Sequence, residues 1–145
     1  MKRFRFRLES VLKWRQLQVG LEQERLQERF SELRALERRA AALEAGKLEA
    51  EQSVLAAKEV EAGALAALDA HRRWVAAERE RLAQAAQDCQ RRIDEQRAKL
   101  LTAERNLRLL EKLKQRRLAE WTAAVEKEYQ TLAEEAYLGQ WRRGG

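Results

Sequence analysis

No proline interrupts the 145 residues of this chain, and over most of its length apolar residues return every seven positions. Proline locks one backbone angle and removes a helical N–H, so a chain without it has no obligatory helix stop. Ala, Leu, Glu, Arg and Gln fill the sequence, β-branched residues are few, and the alternation that marks strands is weak. The chain is therefore expected to be all-α. With 37% charged residues, and with many of its 45% hydrophobic residues alanines, it describes an elongated molecule whose core is a seam.

The seam can be traced. Leu12, Val19, Leu26, Leu33 and Ala40 lie seven apart, with Leu8, Leu36, Leu43, Ala50 and Ala57 on the neighbouring line. Arg15, Glu22, Arg29 and Lys47 interrupt this first ladder and are candidates to fix register. A second ladder runs Ala86, Ile93, Leu100 and Leu107, flanked by Leu82, Cys89, Ala103 and Leu110, and drifts on through Leu113, Leu118, Trp121, Val125 and Leu132. Facing the ladders antiparallel pairs Leu26 with Leu100, Leu33 with Ile93 and Val19 with Leu107, positions that add to 126.

That register centres the reversal on Gly63, the residue type best suited to end a helix and turn. Ladder spacing alone also permits turns near residues 59–60 or 66–67, and the glycine decides for residue 63. The expected architecture is two long helices in one antiparallel coiled-coil hairpin. The first helix covers about residues 3–60, the turn about 61–66, the second helix about 67–138, and a loose tail 139–145. The second helix overhangs the first beyond about residue 125, leaving Val125, Tyr129, Leu132 and Ala136 as an uncovered apolar stripe. One continuous helix dimerising through the same ladders is a structural alternative.

A formal charge of +6 favours acidic partners. A single cysteine, Cys89, excludes an internal disulfide framework and points to a cytoplasmic setting. No apolar run nears the ~20 residues needed to span a bilayer, and no apolar stretch of the secretory type follows the basic N-terminus. One His, one Cys and no Gly-rich phosphate loop leave no means of building a metal centre, a nucleophile dyad or a nucleotide pocket. Neither an enzyme nor a cofactor or metal is expected.

Two clusters are candidate partner-binding sites. At the open end Lys2, Arg3, Arg5, Arg7, Lys13 and Arg15 surround Phe4, Phe6 and Trp14, while Arg105, Arg108, Lys112, Lys114, Arg116 and Arg117 run toward the same end. Docking to an acidic surface is the functional reading and a solubilising collar the plain one. Nucleic acid ranks lower, because acidic residues are interspersed throughout and no nucleic-acid motif accompanies the charge. Beyond the turn, His71, Trp74 and Val75 form a small aromatic and apolar patch, unless Trp74 only closes the seam.

Phe4-x-Phe6-x-Leu8-x-x-Val11-Leu12-x-x-Arg15 and Leu110-Glu-Lys112-Leu113-Lys-Gln-Arg116-Arg117 together resemble two recurrent signatures of the FliJ family of the flagellar type III export apparatus. The resemblance implies a soluble antiparallel helical hairpin that acts as the central stalk of the export ATPase hexamer. It also implies contacts with the cytoplasmic domain of the export gate protein and with export chaperones, and membrane association only through those partners. Phe4, Phe6, Leu8, Leu12, Arg116, Arg117, Leu118 and Trp121 would then meet the ATPase ring, and His71, Trp74 and Val75 the gate. His71 stands where the family commonly has an aromatic residue, and Ala133-Glu134 replaces a frequent Asp-Glu pair. A generic coiled-coil scaffold or chaperone-escort protein is the alternative.

Overall fold

The computed structural model describes residues 2–144, which form two long α-helices and, among the described residues, no strand. Helix α1 runs Glu9–Leu55 and helix α2 runs Ala62–Gly144, 47 and 83 residues respectively. The all-α expectation holds, and every helix boundary moves.

α1 begins at Glu9 and not near residue 3; residues 2–6 have no regular secondary structure and 7–8 form a turn. The physical reason is a local period of two: Phe4, Phe6 and Leu8 are half-buried, and Arg3, Arg5 and Arg7 between them are exposed. A helix would keep Phe4 and Leu8 on one face and turn Phe6 to the opposite one. The amide of Glu9 donates to the Phe6 carbonyl at 3.1 Å, and that of Leu12 to Leu8 at 2.9 Å. Glu9 places a negative charge in the first turn, where the helix dipole favours it.

The reversal uses residues 56–61 and not the 61–66 expected around Gly63. Gly63 lies in the first turn of α2, with Ala64 and Leu65 donating to the Glu61 carbonyl at 3.0 and 3.2 Å. No described residue has a positive φ, so this turn needs no left-handed residue and glycine gives it no advantage. At the other end α2 continues through Gly139 to Gly144, in place of the expected loose tail from residue 139; Gly145 lies outside the described residues. A lone glycine costs about 1 kcal/mol in a helix and does not stop one.

Packing divides the chain into two compact units, Leu21–Leu100 and Met1–Gly20 with Leu101–Gly145. In the first, contacts between α1 and α2 run in reverse sequence order, the order of an antiparallel pair: Glu22 with Gln96, Arg29 with Cys89, Glu44 with Arg79 and Glu51 with Arg72. Contacts that reach a backbone carbonyl add to 118, the ion pairs between side chains to 123, and the Arg97 guanidinium over the Phe30 ring to 127. Helical side chains lean toward their own N-termini, so long ones on antiparallel helices meet at higher sums than the backbone levels they spring from. The register is thus near 118–119, one heptad from the expected 126 and in line with a turn near residues 59–60. It sets Leu26, not Leu33, level with Ile93.

The core of this unit is thin. Ile93 is fully buried, Val75 and Cys89 nearly so, and Leu26, Leu33, Leu36, Leu43 and Val54 are half-buried along the seam. Glu22, at 8% exposure, and Gln96, at 5%, sit in the same seam among the apolar side chains. The Gln96 amide donates to the Glu22 carbonyl at 3.2 Å and to its carboxylate, which Arg25 also holds at 2.8 Å. Cys89 reaches the carbonyl of Arg29 at 3.5 Å.

The second unit buries Leu12 and Ala103 most deeply, with Leu107, Leu110, Leu113 and Val125 half-exposed on the facing stripe of α2. Lys114 pairs with Glu9 at 2.9 Å. From residue 126 to 144 every position of α2 but Gly139 is exposed, including Tyr129, Leu132, Tyr137, Leu138 and Trp141.

Candidate functional site

The most developed surface lies where the N-terminal segment, residues 2–8, meets α2, within the second unit. Alternation turns Phe4 and Phe6 inward, and the Phe4 ring meets Trp121 at 6.0 Å between centroids with the planes tilted by 54°. The indole Nε1 of Trp121 donates to the carbonyl of Lys2 at 3.2 Å, which fastens the strap at that residue. An aromatic pair in this geometry contributes about 0.5–1.5 kcal/mol beyond its buried area, and the hydrogen bond about as much again. The strap is held by one residue of α2 through two different interactions.

Residues 2–8 with Leu113, Arg117, Glu120 and Trp121 line a groove of ≈ 1050 Å³. Its floor is apolar and its rim is basic, since Lys2, Arg3, Arg5, Arg7 and Arg117 are all exposed. Arg117 is partly neutralised by Glu120 at 3.3 Å, and Lys114 by Glu9. No acidic partner is paired with Arg3, Arg5 or Arg7 within 4.0 Å among the described residues. The arrangement can bind an acidic surface that also presents an apolar group, a combination that supplies both orientation and affinity.

Of the residues singled out in the sequence, Phe4, Phe6, Leu8, Arg117 and Trp121 do line one groove. Leu12 does not: at 4% exposure it belongs to the seam and has no surface to offer a partner. Arg116 is exposed outside the groove, and Leu118, 42% exposed, lies on an adjacent face with Ala119, Thr122 and Ala123. Leu113, Glu120 and the anchoring role of Trp121 were missed. The signal was present in the Phe-Arg-Phe-Arg-Leu alternation, which a reading tuned to the heptad passes over.

The patch at residues 71–75 changes composition. Val75, at 2% exposure, is a seam residue and cannot belong to an exposed docking patch. Trp74 stays 54% exposed, and the half-buried His71 stacks on it at 5.9 Å with 27° between planes. The His71 Nε2 is buried without a hydrogen-bond partner among the described residues. Exposed Leu48, Leu55, Val60 and Leu65 add apolar surface in the same unit, none of it singled out in the sequence.

No group of three or more candidate metal ligands occurs among the described residues, and no described helix is long and apolar enough to cross a membrane. Neither the family models, the curated proteins nor the solved structures contain a match to this chain.

Proposed function

We propose that this protein is a non-enzymatic stalk of a flagellar-type protein export apparatus, which docks its basic, aromatic end in the export ATPase hexamer. The other partners in this reading are the cytoplasmic domain of the export gate, met through His71 and Trp74, and export chaperones. It works at the cytoplasmic face of the membrane through those partners.

One observation carries the reading. The two segments that resemble the FliJ signatures are separated by about a hundred positions, yet Phe4 and Phe6 share a groove with Leu113 and Arg117. An asymmetric surface entering a symmetric ring touches some subunits and not others, so it biases their nucleotide states through differential binding. The chain performs no chemistry and alters the rate of an enzyme that does.

The test is ATP hydrolysis by a flagellar export ATPase with and without this chain, together with hexamer formation. Stimulation that is lost in Arg5→Glu/Arg117→Glu supports the reading, and an unchanged rate and assembly state refute it. The exposed Tyr129 and Leu132 favour a second reading, a coiled-coil escort that binds other helices along α2. Capture of chaperones with no effect on the ATPase would select it.

A further inference from the structure

We infer that the Glu22–Gln96 pair is a register lock, which holds α1 and α2 one heptad away from a second, competing pairing centred on Gly63. The lock lies within Leu21–Leu100 and is independent of the proposed function.

At its most buried position the apolar ladder does not choose between the two pairings. At register 118–119 Ile93 stands level with Leu26, and one heptad on, at 126, it stands level with Leu33; both partners are leucines. The slide between them is about 10 Å along the helices. Turn chemistry does not choose either, since the observed linker 56–61 uses no left-handed residue while the competing one would use Gly63, which now sits in a helix. Extending α1 by a few residues and unwinding the first turn of α2 converts one tip into the other.

What differs is the polar content of the seam. In the observed register the buried Gln96 amide meets the carbonyl and the carboxylate of Glu22. One heptad on, Gln96 stands level with Arg29, whose carbonyl can replace that of Glu22 but whose guanidinium offers no acceptor, and Glu22 keeps only its own-helix partner Arg25. A buried polar group that loses its partner costs about 1–3 kcal/mol, and a single polar pair in an apolar seam is a known way for a coiled coil to specify alignment. Glu22 and Gln96 are the buried polar residues among those described, so the discrimination rests on them.

The single cysteine makes this measurable. Cys89 faces Arg29, so Arg29→Cys reports the observed register and Leu36→Cys, one heptad along the same seam line, reports the competing one. Disulfides close only when the two Cα atoms come within about 7 Å, which a 10 Å slide separates. With Glu22 and Gln96 intact, mild oxidation of dilute protein closes 29–89 within one chain and leaves 36–89 at background. In the Glu22→Leu/Gln96→Leu background the helical signal is retained and 36–89 closure rises at least tenfold. Adding Gly63→Ala, which favours helix at the competing turn, suppresses that rise. Persistence of 29–89 alone in the double-leucine chain overturns the inference, and so does loss of helix, because the pair is assigned a choice between two folded registers and not the folding itself.

Discussion

Replacing Ile93 by alanine probes the thin seam most directly. Ile93 has no exposed surface, and the substitution removes three carbons from the centre of the Leu21–Leu100 unit. At about 0.8 kcal/mol per buried methylene the transfer loss alone is about 2.4 kcal/mol. A cavity adds to this, and buried Ile-to-Ala changes span about 2–5 kcal/mol. Two helices with solvent on both sides can settle toward each other, so the expectation is about 2.5–3.5 kcal/mol. The control is Leu48→Ala in the same unit, where Leu48 is 56% exposed and the expected loss is within about 0.5 kcal/mol. Urea denaturation followed by helical circular dichroism reads both. If the two variants differ by less than about 1 kcal/mol, Ile93 is not the centre of a packed seam and the antiparallel pairing described for this unit is wrong.

Trp121→Ala removes both the ring contact to Phe4 and the hydrogen bond to Lys2, so the strap should detach, with trypsin cleavage after Arg5 and Arg7 accelerating severalfold while the denaturation midpoint moves little. Gly63→Ala and Gly46→Ala should each stabilise the protein by about 0.4–1 kcal/mol, since both glycines are helical, neither has positive φ, and an added Cβ meets nothing within 4 Å. A loss of stability on Gly63→Ala in the urea titration would return the turn to that residue. Arg72→Ala breaks an ion pair with Glu51 whose arginine is 54% exposed; the expected cost is under about 1 kcal/mol and should shrink further in high salt.

Charge and seam were legible in the sequence because both follow from spacing along a helix. Arg15, Glu22, Arg29 and Lys47 interrupt the first ladder on paper, and Glu22 proves buried while the other three are half-buried. The candidate site was legible as a list of residue types at two ends of a chain. Its construction was not, because the docking of Phe4 on Trp121 depends on residues 2–6 staying out of the helix, and that is decided by the α2 surface they lie against. Val75 was misplaced for a related reason: exposure near a turn depends on where the turn is, and a reversal at 56–61 draws residue 75 well inside the paired region.

Local composition by itself determined that this chain is helical, that its apolar face is a narrow stripe, and that its first residues are basic and aromatic. These are properties of neighbours three, four and seven apart, which every helix of this sequence would share. Only the tertiary structure decided which heptad faces which, and hence where the chain reverses and which side chains are left outside. A repeating ladder offers similar apolar partners after each seven-residue step, and contacts such as Gln96 to Glu22, which join residues 74 positions apart, distinguish one step from the next.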